Sequence, residues 1–291
     1  MQKMRFAKYW IRDSAPEAHG SFLAWGWSNN SLEEARALAV QRSRSLMEWF
    51  RKDQLRRYPY AEADRPLREE TVESLASADG GEPAAVITRN SYGALVLNAS
   101  QILFADLDGD ASGPQTTEQP QQGGLWGMLF GAPKQPPRPA GHLQVARVEA
   151  FAKANPSLGI RLYRTCAGFR AVILNETFDP LGAQSERILR DLAADPLYVR
   201  LCRSQQCFRA RLTPKPWRCG LSAPRETYPY ADMHVTARMQ RWIAQYTQRS
   251  AGYTTCQIVG NYGPGQQHPE VARVLAVHDR YAVGRPGLPL A

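Results

Sequence analysis

Apolar and polar positions alternate along this chain in short blocks, and the blocks predict a mixture of strands and helices. Residues 4–12 and 20–27 are rich in Tyr, Trp, Phe and Ile, with Pro16 and Gly20 at the turn between them, which predicts two strands. Ser31-Leu-Glu-Glu34 has the spacing of a capping box, in which Ser31 accepts from the third helical amide and Glu34 reaches back. The helix it starts is predicted to run to about Lys52, with Leu38, Ser45/Leu46 and Trp49/Phe50 on one side. Residues 53–83 are polar and broken by Pro59 and Pro66, with a short helix expected over 66–77. Ala84–Arg89 and Tyr92–Asn98 are strongly apolar, with a turn at Asn90-Ser91, and a third run, Ile102–Leu107, ends on Asp106-Leu-Asp108.

Further along, 142–154 has helical periodicity and stops at Asn155-Pro156. Two apolar runs, 159–165 and 169–174, flank Cys166-Ala-Gly168 and predict a strand, a small-residue turn and a strand. Helices are expected over 181–194, 230–249 and 269–282, and strands over 208–212 and 254–260. Strands and helices do not alternate regularly. The expected class is therefore α+β, with a largely antiparallel sheet and flanking helices.

Residues 109–141 break the pattern, holding seven Gly and six Pro in 33 positions. A loop of that length in a compact domain is either disordered or functional. The expected organisation is an N-terminal β-β-α unit, 1–83, packed on a core, 84–291, that this loop interrupts. Within the loop, Gly124-Leu-Trp-Gly-Met-Leu-Phe-Gly131 is apolar. It either folds back onto the body or docks a protein partner, since exposed apolar clusters mark contacts.

Composition narrows the function classes. The 291 residues carry 36 Lys/Arg against 27 Asp/Glu, a net charge of +9. That permits nucleotide, DNA or RNA partners. No apolar run approaches the roughly 20 residues of a membrane helix, so no membrane partner is expected. The N-terminus lacks the apolar block of a signal peptide. The 5 cysteines, an odd number at low density, fit a reducing cytoplasm. Motifs of the forms G-x-S-x-G, G-x4-G-K-[ST], H-E-x-x-H and G-x-G-x-x-G are absent, which disfavours α/β-hydrolases, P-loop enzymes, zincins and dinucleotide-binding dehydrogenases.

Three segments hold candidate chemistry. Asp106 and Asp108 are two apart on a strand end and so share a face. Their mutual repulsion is relieved by a hard cation, which makes Mg²⁺ or Mn²⁺ the expected cofactor. The plainer reading is a solvated strand terminus. In Tyr163-Arg-Thr-Cys-Ala-Gly-Phe-Arg170 the small turn at Gly168 lets backbone approach a ligand, and Arg164 and Arg170 offer charge to phosphate. A hairpin with exposed arginines is the alternative. Between Arg200 and Arg218 stand Arg203, Arg209, Arg211 and Lys215, with no acid among them and with Phe208 and Trp217 interleaved. Such a strip suits polyphosphate or single-stranded nucleic acid, although a solvated basic face would look the same. Cys202, Cys207 and Cys219 lie in this segment without a C-x2-C pair, and buried thiols explain them better than zinc.

Taken in order, these segments resemble the catalytic core of archaeo-eukaryotic primases, especially the primase-polymerases, over roughly residues 84–220. Asp106 and Asp108 correspond to the family's Asp-x-Asp, and Thr165-Cys-Ala-Gly-Phe-Arg170 to its Ser-x-Gly-x-His motif. Arg209-Ala-Arg-Leu-Thr-Pro-Lys215 looks like its basic segment near the nucleotide. The resemblance implies a primase-like palm and metal-dependent nucleotidyl transfer. Asp106, Asp108 and Arg170 would be catalytic, and Arg164, Gly168, Arg209, Arg211 and Lys215 would face phosphate. A third metal-site acid is implied at Asp195, with Asp179 second. Arg170 stands where the family has a histidine that binds the nucleotide's phosphates. Arginine can hold phosphate but cannot share proton chemistry, so the resemblance implies the fold more strongly than the reaction. A nucleotide or nucleic-acid binder without catalysis is the alternative, and an interaction module docking through 124–131 is another. Thr88–Gly93 and Arg211–Arg218 are also similar to segments of bacterial proteins, a likeness that brings no activity with it.

Overall fold

A computed structural model describes residues 4, 6–16, 22–52, 66–108 and 142–291. The Gly/Pro-rich loop, the apolar patch at 124–131 and the partner expected there lie outside the described residues. The elements in chain order are β1 (Tyr9–Asp13), β2 (Ala24–Ser28), α1 (Leu32–Arg51), β3 (Glu70–Leu75), β4 (Ala85–Arg89), β5 (Leu95–Ala99) and β6 (Phe104–Asp108). They continue with α2 (His142–Ala154), β7 (Ile160–Thr165), β8 (Gly168–Ile173), α3 (Ala183–Asp191), α4 (Pro196–Gln205), β9 (Phe208–Arg211), α5 (Met233–Ser250), β10 (Cys256–Tyr262) and α6 (Pro269–Ala282). The class is α+β, and every strand pairing within the three sheets is antiparallel. One sheet has the order β10-β7-β8-β6, a second β3-β4-β5-β9, and β1 and β2 form a ribbon.

The ribbon packs on α1 through a close backbone approach. Gly26 lies against the backbone of Ala35 and Ala39, where a Cβ would collide. The buried stripe of α1 is Ala35, Ala39, Ser43 and Met47, four apart and small at the first three, where the strand comes nearest. This differs from the stripe of large residues read from the sequence: Leu38, Leu46 and Trp49 are only half-buried, and Phe50 is exposed, with the Phe22 ring edge-on at 5.4 Å. The α1 cap also differs in detail. Ser31 accepts from the Glu34 amide at 3.1 Å as expected. The Glu34 carboxylate, however, takes the Ser28 hydroxyl at 2.6 Å and the Asn30 amide instead of reaching back to Ser31.

Residues 66–77 form no helix. Thr71 and Val72 favour an extended chain, and β3 pairs along its length with β4, with one register shift between Thr71 and Glu73. The second sheet therefore crosses position 83, so β3 belongs with the body and not with the N-terminal unit. The β4–β5 turn closes with the Asn90 side chain accepting from the Ala94 amide, and Gly93 supplies φ +91. A helix was missed at 196–205, where Asp195 caps the Leu197 amide at 3.0 Å and Pro196 starts α4.

One apolar core joins the two four-stranded sheets to α2, α3, α4 and α6. The β6 edge would otherwise leave carbonyls unpaired. Helix α4 covers them: the Asp195 amide donates to the Asp106 carbonyl at 3.0 Å, and the Tyr198 hydroxyl to the Phe104 carbonyl at 2.7 Å. That contact sets the site.

Candidate functional site

Pairing of β6 with β8 brings the first two candidate segments together. Asp106 stands opposite Arg170, and Asp108 opposite Gly168. Asp195 reaches the same strand through its backbone, its amide donating to the Asp106 carbonyl at 3.0 Å. The side chain of Asp108 lies outside the described residues. That of Asp195 is engaged as the α4 cap. Asp179, the second choice for a third acid, caps Leu181 beside α3.

Arg170 is the centre of the site and its side chain is 1% exposed. Its Nε donates to Asp106 Oδ1 at 3.0 Å. Its Nη1 donates to the Arg211 carbonyl at 2.9 Å, faces His278 Nε2 at 3.2 Å and lies 3.6 Å from Cys256 Sγ. Burial opposes the guanidinium charge, but Asp106 outweighs it and the pKa is raised further. Arg170 is therefore cationic at every working pH. Asp106 is 37% exposed, so its open side meets solvent while its inner oxygen is held by a fixed cation.

The network continues away from the site. His278 Nδ1 lies 2.8 Å from Asp279 Oδ1. Asp279 also accepts from the Tyr163 hydroxyl at 2.7 Å and from Arg161 at 3.0 Å. Burial lowers the His278 pKa, which favours the neutral ring. Burial acts to raise the Asp279 carboxyl, but hydrogen bonds from His278 and Tyr163 outweigh it and hold the pKa below the usual range.

The basic strip divides in two. Arg209 is buried, with Nη2 at 2.9 and 3.1 Å from the two Glu69 carboxylate oxygens. Thr88 donates to the same carboxylate. Arg209 is thus committed to the interior and is unavailable to a phosphate. Its missing acid comes from 140 positions away, which no local pattern announces. Arg203 pairs with Glu186 at the surface. Arg211 and Lys215 are half-buried and continue outward from the Arg170 contact, and Arg164 is exposed at the β7 end.

Beyond Arg211 the chain turns into an aromatic shelf. Trp217 is 46% exposed, with the Tyr92 ring edge-on at 5.4 Å and Lys215 Nζ 5.3 Å from its centroid. Trp242 stacks on Tyr246 at 5.0 Å, and the tip of the β4–β5 turn at Gly93 rests on Trp242. Tyr246 in turn donates to the Pro214 carbonyl at 2.5 Å and lies 2.8 Å from the Thr213 hydroxyl, fixing the segment that leads to Trp217.

Among the described residues, no group of three His, Cys, Asp or Glu side chains could hold an ion. At Asp106 a guanidinium already supplies the positive charge. Cys202, Cys207 and Cys219 are buried, and burial raises each thiol, Cys202 to about 11. Burial thus favours the protonated thiol at each of the three. Among the described residues no helix is long and apolar enough to cross a membrane. No family model, no curated protein and no solved structure matches this chain, so the primase likeness rests on its three segments alone.

Two features escaped the sequence. Glu69 is one. The His278-Asp279 pair is the other, although it left a signal: His278 falls on the buried stripe of α6 with Val271, Val274, Leu275 and Ala282, where an apolar residue is the norm.

Proposed function

We propose that this protein binds nucleic acid or nucleotide polyphosphate on the basic, aromatic surface that starts at the Asp106–Arg170 pair, and that it does so without a divalent cation. One observation carries the reading. Residues 196–269 hold ten Lys/Arg and two Asp/Glu, which is +8 of the chain's +9. Both acids are capped or paired, Glu226 with Arg238 and Asp232 at the start of α5. Lys215 lies over the Trp217 ring of the shelf made by Tyr92, Trp217 and Trp242, and Arg249 lies beside Gly220, three residues beyond Trp217. Cations beside exposed aromatic faces suit a strand whose phosphates are neutralised while its bases stack.

The second reading is metal-dependent nucleotidyl transfer, with Mg²⁺ or Mn²⁺ on Asp106, Asp108 and Asp195. The backbone bond from the Asp195 amide to the Asp106 carbonyl favours it by bringing the start of α4 to β6. The fixed Asp106–Arg170 pair argues against it, because attraction for a cation is reduced where a cation already sits.

A fluorescently labelled oligothymidylate tests the binding. Its affinity should fall steeply as salt rises, since each neutralised phosphate releases counterions. Trp217→Ala should weaken binding about tenfold, the lower part of the range for one lost stacking partner. Binding that ignores both salt and Trp217 would overturn the proposal.

A further inference from the structure

We infer that His278 and Asp279 are positioning residues that fix Arg170 as the permanent counter-cation of Asp106. The argument is one of donors and acceptors. A guanidinium only donates. His278 Nε2 faces Arg170 Nη1 at 3.2 Å and must therefore present a lone pair. The ring proton is then on Nδ1, where Asp279 Oδ1 receives it at 2.8 Å. Asp279 is itself held by the Tyr163 hydroxyl and by Arg161, whose Nε is tied to Asn261 Oδ1 at 2.9 Å. Each group leaves the next a single compatible proton arrangement.

The outcome reaches Asp106. Arg170 Nη1 is held inward by the Arg211 carbonyl and His278 Nε2, which turns Nε toward β6. A protonated or Nε2–H ring would set N–H against N–H there, and the guanidinium would lose its aim. The helix α6 thereby governs charge at a sheet end on the far side of β8. This inference shares its site with the binding proposal but does not depend on any ligand binding there.

Nuclear magnetic resonance on the full chain tests it without ligand. Long-range proton–nitrogen spectra of wild type should show one histidine with a protonated Nδ1 and a bare Nε2. An Arg Nε–H signal in slow exchange, absent in Arg170→Lys, should report the bond to Asp106. That signal should survive in His278→Gln, whose side-chain oxygen can accept from Nη1, and should exchange at least about tenfold faster in His278→Leu, a loss of about 1.4 kcal/mol of protection. A protonated Nε2 in wild type would overturn the inference, as would an unchanged signal in His278→Leu. If His278→Leu does not fold, the wild-type tautomer decides alone. Failure of oligothymidylate binding would sink the binding proposal and leave these spectra as they are.

Discussion

Glu69→Ala should lower the unfolding temperature by about 10 °C. The substitution leaves the Arg209 guanidinium buried, 8% exposed, with neither of its two carboxylate contacts. Removing one partner of a buried ion pair costs about 3–5 kcal/mol. In a domain of this size each kcal/mol moves the midpoint by about 2–4 °C. The unpaired acceptor on the opposing strand, Asn98 Oδ1, is neutral and cannot replace the carboxylate charge. Replacing both members, Glu69→Ala with Arg209→Met, should recover most of the loss, because no charge is then stranded. Scanning calorimetry of the single and double variants decides the matter. Equal losses in the two would mean that packing, not the orphaned charge, sets the cost.

Arg170→Met should be the other large effect. It strands the His278 Nε2 lone pair and the Arg211 carbonyl inside the core and removes the inner partner of Asp106. The loss should be about 2–4 kcal/mol, below the full cost of a broken buried pair because Asp106 is 37% exposed and keeps its water. The variant should gain in another respect. With the guanidinium gone, the carboxylate is free to attract an ion, and Mn²⁺ affinity measured by electron paramagnetic resonance should rise about tenfold, equivalent to about 1.4 kcal/mol. Unchanged Mn²⁺ affinity would show that Arg170 does not suppress cation binding at Asp106.

Much of the fold could be read from local pattern, and what could not has physical causes. Strong apolar runs placed β4, β7 and β8 within one residue at each end and β5 and β6 within three, because these strands are largely buried. The α1 cap was plain for the same reason that it works: Ser31 and its neighbours act within four positions. The 66–77 segment was misread because half-exposed strands carry mixed composition, and only pairing with β4 makes β3 extended. At the site, β6–β8 pairing joins Asp106 to Arg170 across 64 positions, a contact that neither segment announces by itself. The fate of Arg209 was hidden, since the strip 200–218 contains no acid and gives no hint of Glu69. Charge counted along a segment says how much must be compensated, not where the compensation comes from.

The central claim is that the basic, aromatic face binds polyanion without a divalent ion. The most direct measurement is calorimetric titration of the oligothymidylate and of a nucleoside triphosphate, in EDTA and in Mn²⁺, on wild type and on Asp106→Asn/Asp108→Asn. The account predicts oligothymidylate binding that persists in EDTA and in the double variant. Triphosphate or oligothymidylate binding that requires Mn²⁺ and vanishes in the double variant would contradict it, and would establish the two-aspartate metal reading in its place.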